Sequence, residues 1–177
     1  MRSLFLLLLA GLTAAVSPAR EVTVYIGTFT HFNGQDTGSK GIYLGHLDLD
    51  SGKLGTFALA FEGANPSFLA FSPDHRHLYA TSEVSLTNGK PAGGVFAFSV
   101  DGPSGALTLL NRASAGGPSP THIAVDPSDR TVMVANYDNG SIAALPILAG
   151  GKLGDPATYI EHQGKSVNPR RQDHAYA

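Results

Sequence analysis

The sequence contains no cysteine, no tryptophan and only two methionines. Without cysteine there is no disulfide framework, no thiolate metal site and no cysteine nucleophile. Charge is scarce as well: 15% of the 177 residues are charged, and the formal net charge is −2. No basic stripe matches a phosphate backbone and no arginines alternate with aromatics, so nucleic acid is not an expected partner. Metal-ligand pairs such as H-E-x-x-H are missing among the seven histidines, so no metal and no cofactor is expected. A Gly-x-Ser-x-Gly elbow is also missing, which argues against a serine hydrolase.

What is abundant is punctuation. Glycine occurs 21 times and proline 11 times, against a hydrophobic fraction of 42%. That composition describes a chain able to bury a core around many short elements.

One long apolar run exists, at the start. Arg2 precedes apolar residues from Leu4 to Leu12, followed by Thr13, Ala14, Ala15, Val16, Ser17, Pro18 and Ala19. The run is shorter than the roughly 18 residues of a spanning helix and has the layout of a secretory leader. The expectation is a signal peptide over 1–19, a mature chain over 20–177 with no membrane span, and a periplasmic or extracellular location.

Beyond residue 19 nothing sustains helical spacing. Short β-branched or alternating runs recur instead, at 22–26, 42–49, 67–71, 78–81, 95–100, 122–125, 132–136 and 141–147. Between them lie turn signals such as Ser72-Pro73-Asp74, Asp126-Pro127-Ser128 and the hairpin-like Asp138-Asn139-Gly140. Superposing segments exposes a repeat: residues 66–74 match 120–128, and 76–80 match 130–134, both at an offset of 54. The Gly-containing turns at Gly52, Gly105 and Gly151 mark a second set of matches at a similar period.

Units of about fifty residues with four short strands each predict an all-β fold, a β-propeller of four-stranded antiparallel blades. The WD subtype is excluded by the lack of tryptophan. About three blades fit in the chain where seven are expected, so the propeller is read as incomplete. Missing blades or self-association would then have to cover its open blade faces.

Strand alternation sorts the loops. Entries to the inner strands (Asn65, Ser119, Thr121) and exits from the second strands (Glu83, Asn136, Tyr137) share one face, joined by the tail over 162–177. The channel mouth is the natural pocket of a propeller, so Arg170, Arg171, Gln172 and His174 are expected there. His75 and His77 fall on the opposite face and are assigned no role, while His122 reads as a satisfied core histidine. Gly150-Gly151-Lys152 reads as a hairpin turn rather than a phosphate loop.

Several segments carry a resemblance: Tyr25-Ile26-Gly27-Thr28-Phe29-Thr30, Gly41-Ile42-Tyr43, Leu78-Tyr79-Ala80-Thr81-Ser82-Glu83, Val134-Ala135-Asn136-Tyr137 with Gly140-Ser141, and Asn168-Pro169-Arg170-Arg171-Gln172. In this order they resemble the lactonase family of seven-bladed propellers, which includes the propeller-type 6-phosphogluconolactonases and is related to carboxymuconate-lactonising enzymes. The resemblance implies hydrolysis of a small-molecule lactone to a sugar acid. It departs from the family after Gln172, where a longer spacer, a proline and a His-x-His segment are expected. Here Asp173-His174-Ala175-Tyr176-Ala177 stands instead.

For such chemistry Arg171 suits an anion clamp or oxyanion donor, His174 an acid or base, and Glu83 a group that orients either. Asn136, Tyr137, Arg170 and Gln172 are the expected substrate contacts. A strand-ending role for Asn136-Tyr137 and a solvated basic tail at Arg170-Arg171 stay open beside this. Two functions follow: an exported sugar-lactone hydrolase, represented by a truncated copy whose altered tail puts activity in doubt, or a non-catalytic envelope propeller that binds a ligand or protein at its mouth.

Overall fold

The structure, a computed structural model, describes residues 20–87, 90–91, 93–168 and 170–177. The expected signal peptide lies outside the described residues. All strand pairings among the described residues are antiparallel, and they form three successive larger sheets and two short two-stranded pairs.

The first sheet contains β1 (Glu21–Ile26), then, beyond the short pair β2 (His31–Phe32) and β3 (Gln35–Asp36), β4 (Gly41–Asp48) and β5 (Ala58–Glu62), in the order β1-β4-β5. The second runs β6 (Leu69–Phe71), β7 (His77–Ser82), β10 (Gly94–Val100) and β11 (Leu107–Ser114), with the pair β8 (Leu86–Thr87) and β9 (Lys90–Pro91) inserted before β10. The third is a simple meander of β12 (Pro120–Val125), β13 (Thr131–Asn136), β14 (Ser141–Pro146) and β15 (Thr158–Glu161). The first sheet therefore shows three strands among the described residues, where four were expected. No helix of the described residues is long and apolar enough to cross a membrane.

The second sheet is the heart of the packing, because strand alternation gives each of its faces to a different neighbour. Leu78, Ala80, Phe96 and Phe98 point to one side and join Ile42 of the first sheet, with Phe61 and Tyr25 packed against them. Tyr79, Val95 and Ala97 point to the other and join Ile123, Val132, Val134 and Leu145 of the third. With both faces covered, β7 and β10 read as nearly continuous apolar runs. The third sheet instead leaves Met133, Ile142 and Ile160 exposed, and Met133 and Ile142 line an apolar hollow of about 390 Å³ together with His122.

The turns at the two ends of β6 and β12 adopt the same conformations. At one end His75 and Asp129 are both left-handed, with φ of 58° and 55°. Ser72 N–H bonds His77 O at 2.9 Å, and Asp126 N–H bonds Thr131 O at 3.0 Å. At the other end Asn65 and Ser119 are left-handed, with φ of 45° and 52°. Their carbonyls accept from the N–H groups of Glu83 at 2.9 Å and Tyr137 at 2.8 Å. Side-chain oxygens of Asp, Asn and Ser satisfy such turns locally, which is why the chain uses these residues there.

Two local readings need correction. Asp138-Asn139-Gly140 is not a two-residue hairpin: residues Tyr137–Asn139 form a 3-10 turn that Gly140 ends in a left-handed conformation. His122 is not a core histidine either. It is exposed, its ring lies 4.5 Å from that of Phe68, and it faces the hollow of the third sheet.

Candidate functional site

The strand entries and exits named above meet on one face, where three groups of side chains lie side by side. The first surrounds Glu83. Its half-buried carboxylate accepts a hydrogen bond from the Ser67 hydroxyl, and Ser67 in turn lies 3.2 Å from Thr81 Oγ1. Burial pushes the Glu83 carboxyl up, the Ser67 bond opposes this, and the charge of Asp138 adds to the rise.

The second group straddles the second and third sheets. The Asp138 carboxylate accepts from Ser119 at 2.6 Å and from Ser85, and the two hydroxyls are 2.7 Å apart. Sequence reasoning passed over Asp138 because an Asp-Asn-Gly run reads as turn punctuation.

The third group is built by the tail. Asn168 closes a tight turn, its carbonyl accepting from Arg171 N–H at 3.2 Å and Gln172 N–H at 2.7 Å. The turn delivers Arg171 and Gln172 to a cavity of about 400 Å³ that they line with Tyr137, Asn168 and Tyr176. Among the described residues no hydrogen-bonding or ionic partner takes the Arg171 guanidinium. The end of the tail then packs on the Tyr137–Asn139 turn. Tyr176 stacks on Tyr137 at 4.8 Å, and a side chain at Gly140 would come within 2.7 Å of Ala175.

His174 sits between the second and third groups. Its Nε2 is 2.9 Å from the Asp138 carbonyl and its Nδ1 3.0 Å from the Asp173 carboxylate. Both partners only accept, so both contacts are hydrogen bonds only when each ring nitrogen carries a proton. Asp173 is held below the ordinary carboxylate range, mainly by the Tyr176 hydroxyl at 2.9 Å.

The other expected contacts are placed differently. Asn136 is fully buried, its Nδ2 donating to Ala115 O and to Ser141 Oγ, both at 3.0 Å. It is a strut between sheets that fixes Tyr137 beside it, and it does not reach the cavity. Arg170 is exposed in the tail turn and does not line the cavity. Among the described residues Glu83 makes no hydrogen bond to the tail, and it feels the charge of Asp138.

Stacked antiparallel sheets whose strand entries and exits converge on one polar mouth define a β-propeller. The family model described as "Lactonase, 7-bladed beta-propeller" matches residues 23–177. The chain belongs to this lactonase family. Among relatives, a 6-phosphogluconolactonase of Bacillus subtilis is 34% identical over 148 residues, covering 84% of this chain and 40% of the relative. One from Formosa agariphila is 29% identical over 154 residues, covering 86% and 41%. The solved structure of the Pseudomonas aeruginosa periplasmic gluconolactonase superposes with a TM-score of 0.75 at 28% identity, covering 85% of this chain and 41% of that one. The chain spans about two fifths of the length of the relatives it matches.

The Glu83 environment predicts a pH effect. A carboxyl raised in the folded state favours folding in its protonated form. Its contribution is fully present below the unfolded value of about 4.5 and is lost as pH rises through the folded value. Urea unfolding of the wild type and of Glu83→Gln between pH 4 and 8 should show the wild type losing stability relative to the variant over that window. Parallel profiles would mean that the carboxyl is not desolvated.

Proposed function

We propose that the protein is an exported hydrolase of unphosphorylated sugar lactones that acts at the propeller mouth. The observation that carries this reading is the unpaired guanidinium of Arg171 on an open polar cavity in a member of the lactonase family. Hydrolysis adds water to the lactone carbonyl, passes through a tetrahedral oxyanion and breaks the ring C–O bond to leave a hydroxy acid. Arg171 is suited to the oxyanion or to the product carboxylate, since its planar fork offers parallel donors. His174, held between the Asp138 carbonyl and the Asp173 carboxylate, is suited to orient or exchange a proton at the mouth. Glu83, raised toward neutrality by burial, is the group suited to exchange a proton with water. Gln172 and Tyr137 supply orienting contacts, while Asn136 and Arg170 act through the backbone they hold.

Export rests on the leader-like residues 1–19 and is in keeping with the periplasmic location of the Pseudomonas relative. Phosphorylated sugars are kept inside cells, so an exported enzyme meets free lactones. On the exposed third sheet, a further blade or a second copy would cover Met133, Ile142 and Ile160. A second reading, a binding propeller without catalysis, is favoured by one feature: Ala175 and Tyr176 occupy part of the mouth against Gly140 and Tyr137.

The test is a pH-indicator assay on gluconolactone and its 6-phosphate, with wild type and Arg171→Ala. Hydrolysis above the buffer rate that prefers the free lactone and falls at least tenfold in the variant is the expected result. No hydrolysis, with a sugar acid still binding, would transfer the protein to the second reading.

A further inference from the structure

On the face opposite the mouth the structure holds a group of side chains with no part in the reading above. Asp74 and His77 belong to the β6–β7 turn, and Asp129 to the matching β12–β13 turn of the next sheet. One ligand atom from each lies within 4.8 Å of the others. We propose that these three residues bind a divalent transition-metal ion, which staples the second blade to the third.

The decisive observation is a pair of atoms. His77 Nδ1 and Asp129 Oδ1 are both shielded from solvent, and neither has a hydrogen-bond partner. A carboxylate oxygen offers only lone pairs, and so does the unprotonated nitrogen of a neutral imidazole. With the His77 proton on Nε2, both buried atoms are acceptors, and leaving them without a positive partner is costly. An ion bound at about 2.0–2.2 Å by each ligand sets ligand atoms about 3–3.5 Å apart, so shifts of roughly an ångström close the site.

The imidazole is already fixed for this role. A side chain at Gly151 would come within 2.1 Å of His77 Cδ2, so the Gly150-Gly151 turn of the third sheet presses directly on the ring. The same carbonyl region is anchored by Tyr79, whose hydroxyl donates to Gly151 O at 3.1 Å. Arg76 offsets part of the carboxylate charge, its Nε lying 2.5 Å from Asp74 Oδ2. Asp74 Oδ1 is occupied by Ser72 Oγ at 2.7 Å and Arg76 N–H at 3.0 Å. The two carboxylates and one guanidinium leave one net negative charge for the ion.

The donor set selects the class of ion. One imidazole and two carboxylates suit zinc or manganese, while calcium prefers six to eight oxygens. Nothing in this inference depends on the lactone reaction.

The test is calorimetric titration of zinc chloride into the chelator-treated full chain, with thermal unfolding in parallel. The expected result is one equivalent bound and a higher Tm. Asp129→Asn, whose side chain tolerates the left-handed backbone, should weaken binding at least tenfold. Asp74→Asn should do the same, and a control at the exposed His162 (His162→Gln) should not. Absence of one-to-one binding, or equal affinity in the folded Asp129→Asn and Asp74→Asn variants, would overturn the proposal and leave a direct His77–Asp129 contact as the account of the cluster.

Discussion

Replacing Phe98 by alanine is expected to cost about 3–5 kcal/mol, since a fully buried aromatic leaves both its transfer free energy and a cavity behind. Phe98 is inaccessible to solvent. Its ring meets Phe61 edge-on at 4.7 Å and lies 6.2 Å from Phe96, so three aromatic rings close the seam between the first and second sheets. Phe61 comes from β5, the outer strand of the first sheet, and Phe98 from β10 of the second. Loss of Phe98 therefore weakens the contact between sheets more than the β10 ladder itself. Urea unfolding followed by circular dichroism measures the loss. Phe98→Leu, which keeps most of the volume, should cost under about 1.5 kcal/mol. Phe32→Ala, at a ring 57% exposed, should change stability by about 0.5 kcal/mol or less. Comparable losses at Phe98 and Phe32 would mean that the seam is not a packed core.

The same alternation explains how much of the fold was legible in the sequence. Strands with both faces covered, β7 and β10, have continuous apolar runs and were found within a residue or two of their true bounds. β12 to β14 were equally plain, because the turns at Asp126-Pro127-Ser128 and Asp138-Asn139-Gly140 punctuate them. The outer strands β5 and β15 escaped a definite reading. Leu59 and Phe61 alternate with alanines, β15 is exposed throughout, and a strand that buries little has no strong pattern to read. The family match and the superposition with the Pseudomonas structure bear out the propeller expectation.

The site was legible in part. Strand parity gathers Glu83, Tyr137, Arg171, Gln172 and His174 on one face, because parity depends only on the number of strands between them. It does not say how far side chains reach or whether they are buried, so Asn136 was expected at the mouth although its neighbours Ala115 and Ser141 enclose it. Pairings across sheets were invisible for a different reason. Ser85, Ser119 and Asp138 are far apart in sequence, and no spacing rule connects them. His77 and Asp129 are a similar case: they are 52 residues apart, and only the stacking of one sheet on the next brings them together.

Asn65→Ala should be the most damaging change outside the core, costing about 2–4 kcal/mol. One side chain here serves four polar groups. Its Oδ1 accepts from Thr30 N–H at 2.9 Å, from Thr30 Oγ1 at 3.0 Å and from His31 N–H at 2.9 Å. Its Nδ2 donates to the Glu83 carbonyl at 2.9 Å. Asn65 thus ties the loop after β1 to the exit of β7 and holds Glu83 in place at the mouth. Alanine removes these bonds, and donors left without an acceptor cost about 1–3 kcal/mol. It also keeps a Cβ at a φ of 45° without the local side-chain hydrogen bonds that make asparagine more tolerant of the left-handed region. Two further variants separate the terms. Asn65→Gly should recover about 1 kcal/mol relative to alanine by relieving the backbone alone. Asn65→Asp keeps the acceptor for Thr30 and His31 and should retain most of the stability while losing the bond to Glu83. If alanine and glycine prove equal, the left-handed backbone contributes nothing. If aspartate is as damaging as alanine, the bond to the Glu83 carbonyl, rather than the loop after β1, is what Asn65 secures.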